Sequence, residues 1–351
     1  MHTKAENVQF FEHPESSGHE HVSHFHDQAT GLRAIIALHN TRGTIAGGGI
    51  RFFPYASSND ALLDVLRLSK GMTYKSVLAN LPFGGGKSVI IGDPRAVKTE
   101  ALLEAFGRCV ARLNGKYICA EDIGMTPDDM VVIRRVTPYV TGLPGKSGDT
   151  SPLTGYGVYR AILAASERVL KRRPESVAIL GFGNVGRNLA RRLQEDHVKL
   201  YVADINTANV RAAVEEFGAE AVTIEQLFAL PVDVLAPCSI GAVLNDRTIP
   251  AIRARIVCGG ANNQLDDVER HGSMLSERGV LFVPDYVANA GGLISGSSEV
   301  TGRTSEETLR MVEAIYDTCN DIFDIADQKR CTPLQAAEQL AVDRLGERRL
   351  S

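Results

Sequence analysis

The segment Ser176-Val177-Ala178-Ile179-Leu180-Gly181-Phe182-Gly183-Asn184-Val185-Gly186 constrains this chain more than any other. An apolar, strand-like run feeds a GxGxxG loop, a helical pattern follows from Arg187, and Asp204 closes the next strand-like run. GxGxxG alone is a weak signal and could be a ligand-free turn; the strand, helix and acid around it make it a dinucleotide-binding fingerprint. Gly181 allows the tight turn, Gly183 lets a diphosphate approach the backbone, and Gly186 lets helix and strand pack closely. Asn184 and Val185, in the same loop, are also cofactor-binding candidates, because the diphosphate lies at a helix N-terminus. Asp204 can accept hydrogen bonds from ribose hydroxyls. Its carboxylate repels a 2′-phosphate, and the following Ile205-Asn206 offers no arginine, so the cofactor expected is NAD and not NADP.

The rest of the chain is consistent with that fingerprint. A chain of 351 residues suits two domains. Strands are predicted at residues 34–39, 89–91 and 117–120, and helices at 59–72, with Asn59 or Asp60 near the cap, and at 99–113. Thr126-Pro127-Asp128-Asp129 reads as a helix start. The Gly/Pro/Ser-rich stretch 141–152 is the candidate domain boundary. Beyond it, a helix at 155–171 precedes strands at 177–180, 199–203, 232–236, 256–258 and 281–283, alternating with helical or turn-like stretches. That alternation implies a parallel sheet covered on both faces. Helical stretches at 305–327 and 333–345 end the chain. The expected class is α/β, with an α/β domain at 1–148 and a Rossmann doubly wound parallel-sheet domain at 149–330.

Composition excludes several functions. A formal net charge of −4 gives no electrostatic case for nucleic acid or anionic membrane as a partner. No apolar run approaches the roughly 20 residues that span a bilayer, and the polar start has no secretory core. Six single cysteines without a CxxC pair indicate neither zinc nor a redox motif, so no metal is expected, and free thiols fit the cytoplasm. Six of the nine histidines fall in the first 26 residues (His2, His13, His19, His21, His24 and His26). Their spacing matches no ligand set, and they read as a polar tail entering a strand with His24 and His26 on one face.

Two lysines stand out. Lys75 ends Lys70-Gly71-Met72-Thr73-Tyr74-Lys75, and Lys87 follows Gly84-Gly85-Gly86, read as a flexible turn. A P-loop would need glycine at position 81, which is Leu81, so phosphate binding at Gly86-Lys87-Ser88 is not expected. A lysine among apolar and glycine residues loses hydration and proton affinity and so becomes a usable base; a second lysine nearby would push the same way.

At this point the chain resembles the Glu/Leu/Phe/Val dehydrogenases, and most closely their leucine and phenylalanine types. The stretches that carry the resemblance are Leu68-Ser69-Lys70-Gly71-Met72-Thr73-Tyr74-Lys75, Gly84-Gly85-Gly86-Lys87, Ala120-Glu121-Asp122-Ile123-Gly124, the 181–186 loop, Ala236-Pro237-Cys238, Gly260-Ala261-Asn262-Asn263-Gln264-Leu265 and Pro284-Asp285-Tyr286-Val287-Ala288-Asn289-Ala290-Gly291-Gly292. They run in the family's order from about residue 30 to 345. The resemblance implies that Lys75 holds the substrate carboxylate. Lys87 activates water and stabilises the carbinolamine, and Asp122 exchanges protons with the amino group. Asn289 lies by substrate and nicotinamide, Asn262 lies by the nicotinamide ribose, and Cys238 joins the cofactor site. It also implies an N-terminal domain that binds substrate and forms a homo-oligomer, and a C-terminal helix, 331–351, packed back toward it.

The implied activity is NAD-dependent, reversible oxidative deamination of an apolar L-amino acid, branched-chain or aromatic. One departure bears on the substrate. Where the family has Gly-Gly-Thr-Arg or Gly-Gly-Ala-Arg, this chain has Gly48-Gly49-Ile50-Arg51, and Gly47 stands where leucine dehydrogenases carry a large apolar residue. By the same resemblance Gly47, Gly48, Ala120, Cys319 and Ile322 contact substrate. Gly47 should enlarge the side-chain pocket, whereas Ala120 matches the branched-chain enzymes. Two other functions remain open: an NAD-dependent oxidoreductase on another 2-substituted acid, which typically needs a histidine–carboxylate pair and an arginine, and a non-catalytic NAD-binding relative.

Overall fold

A computed structural model of the chain describes residues 14–144, 149–239 and 241–347. His2 and His13, and residues 145–148 of the expected boundary stretch, lie outside them. The chain divides into two compact units, Met1–Gly148 with Leu345–Ser351, and Asp149–Arg344.

The first unit contains β1 (His21–Asp27), β2 (Leu32–Asn40), β3 (Ala46–Phe53), α1 (Ser58–Leu78), β4 (Gly84–Ile91), α2 (Pro94–Val97), α3 (Glu100–Arg112), β5 (Tyr117–Glu121) and α4 (Pro127–Arg134). The sheet order is β1-β2-β4-β3-β5. β2 is antiparallel to β1 and β4, whereas β3 is parallel to β4 and β5. On β1, His24 and His26 share the exposed face. The alternation of β2 feeds two cores. Ile35 and Ala37 pack with Leu62, Val65 and Leu66 of α1, while Ala34, Ile36 and Leu38 pack with Leu102, Phe106 and Val110 of α3 and Met130 and Ile133 of α4.

α1 begins one residue before the expected start, because Ser57 is the residue whose side chain accepts from the Asp60 N–H. It also runs past Met72 to Leu78, since Ser69, Thr73 and Ser76 are buried. The helix start expected at Thr126 is present within a capping box, and Thr99, expected inside a helix, caps α3 instead.

The glycines 84–86 are not a flexible turn: they open β4 and are buried. A Cβ at Gly85 would stand 2.0 Å from the Thr73 nitrogen of α1, and one at Gly86 would stand 2.9 Å from the Tyr117 ring. These glycines let helix and ring approach the strand backbone directly, which is a packing role.

The second unit contains α5 (Ser151–Leu170), β6 (Ser176–Leu180), α6 (Asn184–Glu195), β7 (Lys199–Ala203), α7 (Thr207–Phe217), β8 (Glu220–Ala221), α8 (Ile224–Phe228), β9 (Val234–Pro237), β10 (Ile256–Val257), α9 (Val268–Glu277), β11 (Leu281–Phe282), α10 (Asp285–Ala288), α11 (Ala290–Thr301), α12 (Ser305–Glu313), α13 (Ile315–Lys329) and α14 (Pro333–Glu347). Its sheet is parallel throughout, in the order β11-β10-β9-β6-β7-β8. The chain moves outward from β6 to β8 and then crosses back to β9, so the topological switch point lies between β6 and β9. The single helix expected at 305–327 is two: Arg160 Nε donates to the Glu313 carbonyl, so that acceptor serves a side chain where α12 ends. Among the described residues, no helix is long and apolar enough to cross a membrane.

Gly85→Ala should force α1 away from β4. The expected result is destabilisation by more than about 2 kcal/mol, read by chemical denaturation.

Candidate active site

The sheet of the first unit places Lys87 in β4 and Asp122 just beyond the end of β5. Lys87 is 6% exposed, and its Nζ lies 2.6 Å from Asp122 Oδ2. Gly49 on β3 makes this approach possible: a Cβ there would stand 2.8 Å from Asp122 Cβ and 3.1 Å from Lys87 Nζ. Gly48 is tighter still, with 1.7 Å between a Cβ and the Gly86 carbonyl oxygen. Ala120 is half-buried on β5, paired with Gly49.

Burial pushes the Lys87 ammonium below its ordinary pKa; Asp122 opposes that shift and Arg51 adds to it. For Asp122, burial pushes upward, but Lys87, Arg51 and the Ile123 N–H together hold the carboxyl below its usual range. Lys87 therefore gives up its proton more readily than a lysine in water, and Asp122 holds its carboxylate form more firmly than a free aspartate.

Lys75 lies in the last turn of α1, half-buried, where the helix dipole favours a cation. The cation that presses on Lys87 is Arg51. Arg51 and its partner Asp64 are absent from the sequence-based candidates. The signal for Arg51 was available in strand alternation, which puts Gly49 and Arg51 on one face of β3.

In the second unit, each glycine of the 181–186 loop has a steric reason. Gly181 has φ +93° and faces Ser239, where a Cβ would come within 2.7 Å. A Cβ at Gly186 would lie 2.4 Å from the Gly181 carbonyl oxygen, whereas one at Gly183 would meet open space. Gly183 caps α6 without a side-chain hydrogen bond, leaving first-turn N–H groups, beginning at Asn184 and Val185, for an anion. These features fit a dinucleotide diphosphate.

Asp204 is more tightly held than expected. Its Oδ1 accepts from the Asn206 N–H at 2.7 Å, and its Oδ2 accepts from the Phe182 N–H at 2.6 Å and Asn209 Nδ2 at 3.1 Å. Burial alone would raise its pKa; these donors outweigh burial and lower it. The carboxylate thus anchors the glycine loop.

Cys238 follows β9 at the switch point, and its N–H donates to the Leu180 carbonyl. Burial pushes its thiol up to about 11, so it is no nucleophile at neutral pH. Asn289 Nδ2 donates to Asn262 Oδ1 at 2.7 Å, which brings these two candidates together; Asn289 is buried and Asn262 exposed. Cys319 and Ile322 lie one turn apart on α13, both fully buried.

A doubly wound dinucleotide-binding sheet, in one chain with a buried lysine–carboxylate pair, defines a two-domain oxidoreductase. Family models narrow that class. Residues 19–139 match the Glu/Leu/Phe/Val dehydrogenase dimerisation domain, and residues 201–350 match the Glutamate/Leucine/Phenylalanine/Valine dehydrogenase model. The chain is similar to leucine dehydrogenase of Bacillus cereus, 44% identical over 96% of this chain and 94% of that one. It is also similar to phenylalanine dehydrogenase of Caldalkalibacillus thermarum, 43% identical over 95% and 92%. The crystal structure of L-tryptophan dehydrogenase from Nostoc punctiforme superposes with a TM-score of 0.86 at 42% identity, covering 95% of this chain and 97% of that one. The chain belongs to the Glu/Leu/Phe/Val dehydrogenase family and is an amino acid dehydrogenase.

Asp204→Ala removes the acceptor of three donors, at about 1–3 kcal/mol for a buried donor left unpaired. The expected outcome is a lower Tm together with NAD binding weakened by about tenfold or more, measured by fluorescence titration.

Proposed function

We propose that the chain catalyses reversible oxidative deamination of an apolar L-amino acid to its 2-oxo acid and ammonia, with NAD as cofactor. The observation that carries this reading is the buried Lys87 with Asp122 at 2.6 Å. Deamination needs a base that deprotonates near working pH and a second group that exchanges protons with the nitrogen. A desolvated lysine and an ionised aspartate meet those needs.

Lys75 binds the substrate carboxylate. Asp122 takes a proton from the substrate amino group. NAD, when bound, accepts the hydride from the substrate Cα. Lys87 deprotonates the water that adds to the resulting imine, and its ammonium then stabilises the carbinolamine oxygen. Asp122 returns a proton to the nitrogen as the C–N bond breaks and ammonia leaves. The loop of Gly181, Gly183, Asn184, Val185 and Gly186 would hold the diphosphate, Asn262 would lie by the nicotinamide ribose and Asn289 by the nicotinamide, with Cys238 joining the cofactor site. Three donors occupy Asp204, and a carboxylate offers about four lone-pair sites. One is left for a ribose hydroxyl, and the charge disfavours a 2′-phosphate.

The named relatives support an apolar substrate, branched-chain or aromatic. The substrate-contact candidates Gly47 and Ala120 in the first unit, and Cys319 and Ile322 in the second, are all uncharged. The buried Phe83 ring borders the space beside Gly47, where a Cβ would lie 3.3 Å from it. The dimerisation-domain match supports a homo-oligomer, and the lone, unpaired cysteines support a cytoplasmic enzyme.

The test is NADH formation from NAD with each standard L-amino acid at alkaline pH. Clear rates are expected with some of leucine, valine, phenylalanine and tryptophan; no rate across the panel from protein that binds NAD would overturn the proposal. NADP in place of NAD should lower kcat/KM roughly a hundredfold, the cost of placing a phosphate against a carboxylate. Phe83→Ala should raise kcat/KM for phenylalanine relative to valine by about tenfold, measured on the same panel.

A further inference from the structure

Lys87 and Asp122 are the inner half of a longer chain of charges. Arg51 on β3 places NH1 at 3.2 and 3.0 Å from the two oxygens of Asp64 on α1. Its Nε lies 3.4 Å from Asp122 Oδ2. The Tyr55 hydroxyl donates to Asp64 and holds it from the other side. Signs alternate along Asp64, Arg51, Asp122 and Lys87. The outer end reaches solvent, with the Asp64 side chain 28% exposed, and the inner end is closed, with Lys87 at 8%.

The middle contact is not fully made. Arg51 Nε is buried and makes no hydrogen bond of good geometry, while Asp122 Oδ2 is buried and held at 2.6 Å by the Lys87 ammonium. A buried donor left this way needs a reason. Here it faces Asp122 Oδ2 at a distance that a small shift would close, and catalytic hydrogen bonds commonly tighten when substrate binds.

We infer that Arg51 is a positioning residue for the deamination: anchored on Asp64, it holds the Asp122 carboxylate against Lys87, and its charge sets the pH at which Lys87 releases its proton. The inference rests on the reading of Lys87 as the base.

Electrostatics gives it a signature that a scaffold role lacks. Arg51 repels the proton on Lys87, while Asp64, one step further out, attracts it. Other groups on the surrounding elements do not alternate in this way. Tyr117 on β5 stays neutral, because burial raises its pKa far above the ordinary value. His39 on β2 stays neutral, because burial takes its pKa down to about 3. Glu121 sits at the exposed end of β5. Lys75 on α1 is unchanged in every variant below.

The titration of Lys87 can be read without turnover. Trace acetylation with acetic anhydride across pH 7 to 11, quantified at the Lys87 peptide by mass spectrometry, gives its midpoint. Arg51→Gln is expected to raise that midpoint by about one pH unit, and Asp64→Asn to lower it by less. Arg51→Lys keeps the charge but cannot bridge two carboxylates; its midpoint should stay near wild type while kcat falls about tenfold or more. Midpoints that do not move, or that move in the same direction in Arg51→Gln and Asp64→Asn, overturn the inference, as does wild-type kcat in Arg51→Lys. If thermal melts show that Arg51→Gln does not fold, Asp64→Asn decides: a lowered midpoint supports, and an unmoved or raised one overturns. A wild-type protein with the expected midpoints but no amino acid turnover would refute the proposed function and leave the electrostatic result standing.

Discussion

An ammonium removed from water must have a counter-charge or lose its proton, and the first unit is built around that condition at Lys87. Glycines on β3 and β4 bring strand, helix and ring close enough to exclude solvent. Asp122 then supplies the counter-charge at 2.6 Å. Burial and pairing pull the lysine in opposite directions, and burial wins, lowering its pKa, while Asp122 is held below its usual range. A Cβ at Gly49 would collide with Asp122 and crowd Lys87, so the chemistry depends on a missing side chain as much as on those present.

The second unit meets a different demand. A diphosphate needs a helix N-terminus with free N–H groups, and the fold supplies it at a switch point of the sheet. Asp204 belongs to this arrangement in two ways. It anchors the Phe182 N–H and so shapes the loop. It also accepts from the Asn206 N–H and from Asn209 Nδ2, so the shape of the loop rests on one carboxylate.

Much of this was legible in the sequence because it is local. Strand periodicity located β6 and β7, and cap chemistry located the helix start at Thr126. Gly181, Gly183 and Gly186 stand where the fingerprint requires, for three different steric reasons. Long-range contacts were less legible. The 84–86 glycines read as a turn because a glycine run has no local strand signal, and its justification lies in α1 and Tyr117. Arg51 and Asp64 escaped notice because a charge network joins residues that only the folded sheet brings together. The neighbour of Gly47 is likewise distant in sequence: the Phe83 ring lies beside it only in the folded sheet.

The central claim is that Lys87 works by losing its proton and not merely as a fixed positive charge. Lys87→Arg separates the two, since a guanidinium keeps its charge and does not deprotonate in a protein. The measurement is kcat for NADH formation by this variant, alongside its NAD affinity and Tm. NAD affinity and Tm close to wild type, with kcat reduced by about a hundredfold or more, is the expected result. A folded Lys87→Arg enzyme with kcat within a few-fold of wild type would contradict it.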